Sequence, residues 1–145
     1  MNATQQKFGA PDSIIAESAH WAVQLRPAQA TLGALVLIAK GDHYRAFSDL
    51  PAAAFSELKT LTQRLESTLK QAFDYDKINY LMLMMVDPDV HFHVLPRYAK
   101  PRDFAGYHFV DAGWPGPPAL GDAPALAAAQ HQQLLEHLQA LWPTA

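Results

Sequence analysis

Apolar and polar residues alternate along Asp89-Val90-His91-Phe92-His93-Val94-Leu95-Pro96-Arg97-Tyr98. A period of two predicts a half-buried strand, with Val90, Phe92 and Val94 turned to the core. Asp89, His91 and His93 then stand in a row on the other side. Side chains two apart on one strand face lie about 6.5–7 Å from each other. Pro96 has no N–H to donate and is expected to end the ladder.

The same reading extends upstream. Residues 1–12, closing on Gly9-Ala10-Pro11-Asp12, read as an irregular lead-in. Ser13 to Glu17 and Trp21 to Leu25 predict a hairpin turning at Ser18-Ala19-His20, with Arg26-Pro27 closing the second strand. Leu32 to Lys40 is an almost unbroken apolar run, expected as a central strand. Ser48-Asp49-Leu50-Pro51 opens a helix. Phe55, Leu58, Leu61, Leu65, Leu69 and Phe73 recur at helical spacing along it. Ile78 to Val86 is apolar on both faces, so a strand covered on both is predicted, with Asp87-Pro88 turning tightly into the histidine strand.

Beyond Tyr98, prolines and glycines dominate Ala99 to Leu120, an arm in which Tyr107 to Val110 could add an edge strand. Leu126, Leu134, Leu138 and Leu141 mark a last helix. The predicted class is α+β: an antiparallel sheet of about five strands, a long helix before the last hairpin and a C-terminal helix. One domain is expected, with residues 1–98 as its core and 99–145 as the arm and helix of the same unit.

Composition narrows the function classes. The 145 residues are half hydrophobic and carry a net charge of -3 with histidines neutral. No Lys/Arg run is present, so an electrostatic nucleic-acid or membrane surface is not expected. Cysteine is absent, which removes disulfides and thiolate chemistry. The N-terminus lacks an apolar leader core and no apolar run reaches spanning length, so a cytoplasmic protein is expected.

Three physical readings of the histidine strand stay open. His91 can be a nucleophile toward phosphorus if its Nδ1–H is held by an acceptor such as a backbone carbonyl, with His93 assisting. Asp89, His91 and His93 can form a metal site, since two imidazoles and a carboxylate suit zinc or iron. Or they are the solvated polar face of a strand.

His91-Phe92-His93-Val94-Leu95-Pro96-Arg97 resembles the signature of the histidine triad (HIT) superfamily, His-φ-His-φ-His and two apolar residues, often ending Leu-Pro-Arg. Gly33 to Lys40 is similar to that family's central strand and Phe47 to Pro51 to its helix lead-in. The resemblance covers Ser13 to Arg97. It implies a homodimer binding a nucleotide in a cleft beside the signature strand, with no cofactor. His91 would attack the α-phosphate of a nucleoside phosphate ester, phosphoramidate or dinucleoside polyphosphate, and His93 would be the third triad histidine. Gln24, near the end of the second strand, falls where the family binds ribose hydroxyls. Arg97 is placed to fork onto phosphate, with an internal ion pair as its alternative. Asp89 occupies the first triad position, which it makes acidic and repulsive to an anion. Ala34 stands where the family has a further histidine. Met84 to Pro88 replaces the family's polar, glycine-containing loop. A binding module without turnover is therefore the companion expectation.

Overall fold

β3 (Leu35–Ala39) is wholly buried and lies at the centre of the sheet, as its unbroken apolar sequence requires. The computed structural model describes residues 1–124 and 126–144. Five strands pair antiparallel in the order β1-β2-β3-β5-β4. They are β1 (Ile14–Glu17), β2 (Trp21–Leu25), β3, β4 (Lys77–Leu81) and β5 (His91–Arg97). The class predicted from the sequence is the one observed.

One sheet face carries Trp21, Val23 and Leu25 of β2, Leu35 and Leu37 of β3 and Val94 of β5. It packs on α2 (Ala52–Phe73) through Ala54, Leu61, Leu65, Leu69 and Phe73. α3 (Ala128–Leu141) adds Leu134, Leu135 and Leu138 to this core. The Trp21 indole N–H donates to the Ala54 carbonyl at 2.8 Å, which satisfies the buried polar tip of this large side chain. Asp74 ends α2 in the left-handed conformation (φ 49°), where a short polar residue is tolerated better than most.

Four expectations are corrected. The lead-in is ordered: α1 (Ala3–Lys7) starts in a reciprocal cap between Asn2 and Gln5 and lies on the second face of the sheet. Phe8 forms a small apolar cluster there with Val36 and Ile38. The fourth strand stops at Leu81, well short of Val86. Met84 takes a left-handed turn (φ 48°), and Met85 and Val86 are 86% and 82% exposed. The connection to β5 is thus a long apolar loop and not a tight turn at Asp87-Pro88. Pro96 sits inside β5 opposite Ile78; it is accommodated because β3 pairs with β5 only as far as Val94. Tyr107 adds no strand to the main sheet. β6 (Arg102–Phe104) and β7 (Tyr107–Phe109) form a separate hairpin.

Candidate functional site

Alternation and register set the site. Along β5, His91 lies opposite Ile38 and His93 opposite Val36. Val36 lies opposite Gln24 of β2. Gln24, Val36, Ile38, His91 and His93 therefore share the second face, the one α1 covers. Cover changes the chemistry of that face. His91 is 1% and His93 7% exposed, so the reading as a solvated strand surface does not hold. The Phe8 ring centroid is 6.2 Å from that of His91 and 5.8 Å from that of His93.

His91 Nδ1 is 2.6 Å from the backbone carbonyl of Asp89. A carbonyl can only accept, so Nδ1 carries the proton and Nε2 is left with its lone pair in the neutral ring. The acceptor lies two residues away, in the loop just before β5, and is independent of the side chain at position 89. The His93 ring centroid is 5.1 Å from that of His91, nearly edge to face. His93 is buried, and His91 and Arg26 add to the effect, so its imidazolium is held down to about 4. At neutral pH His93 is an uncharged imidazole. Its Nδ1 has no hydrogen-bond partner among the described residues.

Both histidines line a cavity of about 120 Å³ with Leu83, Met84, Met85, Val86 and Asp87. The wall is apolar apart from Asp87, whose carboxylate is paired with Lys7 at 2.7 Å. Lys7 and Phe8 thus belong to this site although the lead-in carried no recognisable motif; an isolated aromatic beside a lysine gives no periodic signal.

The other expected site residues are brought to the same face, and each is occupied by protein. Asp89 is buried, and among the described residues its carboxylate hydrogen-bonds to neither histidine. Oδ2 accepts from the Thr4 hydroxyl at 2.8 Å and the Thr4 N–H at 3.2 Å, and Oδ1 from Arg45 Nη1 at 2.7 Å. The acid thereby pins α1 to the start of β5 in place of contacting a ligand. No group of three His, Cys, Asp or Glu side chains is arranged to hold a metal among the described residues, so the Asp89-His91-His93 metal reading lacks its third ligand. Gln24 donates from Nε2 to the Gln5 and Phe8 carbonyls and the Ser13 hydroxyl, fastening the lead-in. Its Oε1 has no partner among the described residues.

Arg97 takes the internal ion pair. Nε and Nη2 fork onto Asp111 at 2.7 and 3.1 Å, Nη1 donates to Asn79 at 2.8 Å and Nη2 to the Gly116 carbonyl at 2.8 Å. With all three nitrogens engaged, the fork has no free edge for a phosphate. The arm segment Trp114 to Pro117 packs here, walling a cavity of about 520 Å³ with Lys77, Asn79 and Arg97.

Among curated proteins none matches the chain. Solved structures do. A histidine triad protein from Sinorhizobium meliloti superposes with a TM-score of 0.75 at 19% identity, over 97% of this chain and 94% of that one. One from Bradyrhizobium japonicum gives 0.76 at 20% identity, over 98% and 96%. One from Marinobacter aquaeolei gives 0.73 at 23%, over 94% and 93%. At these identities the likeness speaks to the fold. The sequence itself matches the family profile described as HIT domain over residues 7–100, a span holding both histidines and the whole five-stranded sheet. On that match the chain belongs to the HIT-domain family.

Proposed function

We propose that this protein binds a nucleotide at the His91–His93 face and transfers its nucleotidyl group through a covalent intermediate on His91. The observation that carries the reading is the 2.6 Å contact of His91 Nδ1 with the Asp89 carbonyl, which directs the Nε2 lone pair away from the backbone. Nε2 attacks the α-phosphorus of a phosphate ester, phosphoramidate or dinucleoside polyphosphate. The P–Nε2 bond forms as the bond to the leaving group breaks, and the leaving group departs with the bonding pair and takes a proton. Water then attacks the nucleotidyl-imidazole and releases the nucleotide, returning His91 to its neutral form. His93 is uncharged at neutral pH, so it assists as a neutral hydrogen-bond donor to a phosphate oxygen. Gln24 Oε1 is a free acceptor suited to a ribose hydroxyl. A homodimer in the cytoplasm is the setting the family resemblance implies.

A second reading, nucleotide binding without turnover, is favoured by the cavity's lining, which offers no side-chain donor to a leaving group besides the two histidines. The cavity at the histidines, about 120 Å³, is smaller than the roughly 300–1,000 Å³ typical of small-molecule sites.

The test is incubation with an AMP phosphoramidate and with diadenosine polyphosphates, reading AMP release and intact mass. Turnover, with a nucleotidylated protein that His91→Ala does not form, is expected. Release no faster than that of His91→Ala, with nucleotide binding retained by calorimetry, selects the binding module. Neither release nor binding overturns both readings.

A further inference from the structure

Of the buried polar atoms without a partner among the described residues, three belong to side chains that register places on the histidine face: Gln24 Oε1, Arg26 Nε and His93 Nδ1. Register places Gln24 in the same cross-strand row as His93, with Val36 between them. Arg26 lies two residues beyond Gln24. Its N–H donates to the Ala34 carbonyl at 3.0 Å, so the β2–β3 ladder continues past Leu25 and Arg26 stays on this face by alternation. Strands are about 4.8 Å apart and same-face residues about 7 Å apart, which puts the Arg26 and His93 backbones about 12 Å from each other.

Two further observations describe the guanidinium. Its charge reaches His93, where it helps to hold the imidazole neutral. Its own pKa is lowered by burial. A guanidinium stays charged under all ordinary conditions, so its partial burial without a counter-ion carries a cost. The hydrogen bond it makes to protein goes from Nη1 to the Ala28 carbonyl, and no carboxylate pairs with it among the described residues. Arg97, on the same face, shows what a structural arginine looks like here: Asp111, Asn79 and the Gly116 carbonyl engage all three of its nitrogens. Arg26 has the opposite accounting. A forked donor that is half-buried, with its Nε buried and unpaired among the described residues, matches the tetrahedral oxygens of phosphate.

We propose that Arg26 is an anion-binding residue of the histidine cleft and holds a phosphate group of the bound nucleotide. Gln24 Oε1, an acceptor, cannot share that anion and takes a neighbouring hydroxyl. The inference rests on the nucleotide reading above and adds the residue that supplies the positive charge, since His93 is neutral and Asp89 is sequestered. The phosphate can be the 5′ group that reacts at His91 or a second phosphate on the ribose. Both present the same oxygens to the fork.

The experiment is calorimetry of the full chain with adenosine, adenosine 5′-monophosphate and adenosine 3′,5′-bisphosphate, for wild type, Arg26→Gln and Arg26→Lys. Thermal melts serve as the folding control. Arg26→Gln is expected to weaken binding of the 5′-monophosphate tenfold or more and to leave adenosine unchanged; Arg26→Lys, which keeps charge but loses the fork, falls between. Loss of only the affinity added by the 3′-phosphate places the guanidinium on the ribose side and equally supports the proposal. Unchanged affinity of Arg26→Gln for both phosphates, with the wild type binding them, overturns it while the nucleotide reading stands. If Arg26→Gln fails to fold, Arg26→Lys carries the comparison. A wild type that binds none of the three ligands overturns the nucleotide reading and this inference together.

Discussion

The two ends of β5 on the histidine face are built on opposite terms. At Arg97 every nitrogen of a buried guanidinium meets an acceptor, and the Trp114 to Pro117 segment seals the cluster. At His93 the buried Nδ1 meets none among the described residues, and Gln24 Oε1 and Arg26 Nε are in the same condition. Almost all buried polar groups in folded proteins are paired, so the two ends differ in kind: the Arg97 cluster is complete within the protein, and the unpaired atoms around His93 are those on which the proposed nucleotide site rests.

Breaking the satisfied end is expected to have the largest effect. Arg97→Met strands the Asp111 carboxylate, which is buried and also accepts from the Tyr98 N–H. Removing one partner of a buried ion pair costs about 3–5 kcal/mol. Urea denaturation should show that loss; a change below about 1 kcal/mol would mean the cluster is not structural.

A smaller loss is expected at Asp89, which ties α1 through Thr4, and Arg45, to the start of β5. Asp89→Ala should cost about 1.5–3 kcal/mol, the range for hydrogen bonds to a charged group. It should also speed amide exchange in α1 and raise carbethoxylation of His91 by releasing the cover. Amide exchange in α1 as slow as in the wild type would show that other contacts, such as Gln24 to the Gln5 carbonyl, hold the segment alone.

The effect that is smallest at neutral pH concerns His93 and grows on acidification. His93 is held down to about 4 when folded, against an ordinary value near 6.5. The unfolded chain then binds a proton that the folded one refuses. Stability falls as pH drops from about 6.5 toward 4 and is insensitive to this group above 7. Burial of His131 acts in the same direction. His93→Gln should flatten part of that slope; identical slopes for the two proteins in a series of urea melts would remove His93 as a cause.

Much of the fold was legible in one dimension. The period-two strands, the apolar β3 and the three-four stripe of α2 predict the element order and the sheet, and the HIT signature stands at its observed place on β5. The orientation of His91 was also within reach, because its acceptor is a carbonyl two residues away and any residue at position 89 supplies one. Element ends were less legible. Ile78 to Val86 kept its apolar pattern after the strand had stopped, since pattern reports compatibility with a face and not whether a partner strand is there.

What the sequence by itself determined is which face each side chain takes. Alternation puts Gln24, Arg26, Asp89, His91, His93 and Arg97 on one side of the sheet. Only the tertiary structure decided what covers that face and which polar groups remain free. Thr4 reaches Asp89 across 85 positions and Asp111 reaches Arg97 across 14. Hydrogen-bond partners at such separations leave no periodic trace. For that reason Asp89 and Arg97 resembled ligand contacts until the fold supplied their partners. Arg26 resembled the plain end of a strand until the fold left its buried Nε without a partner among the described residues.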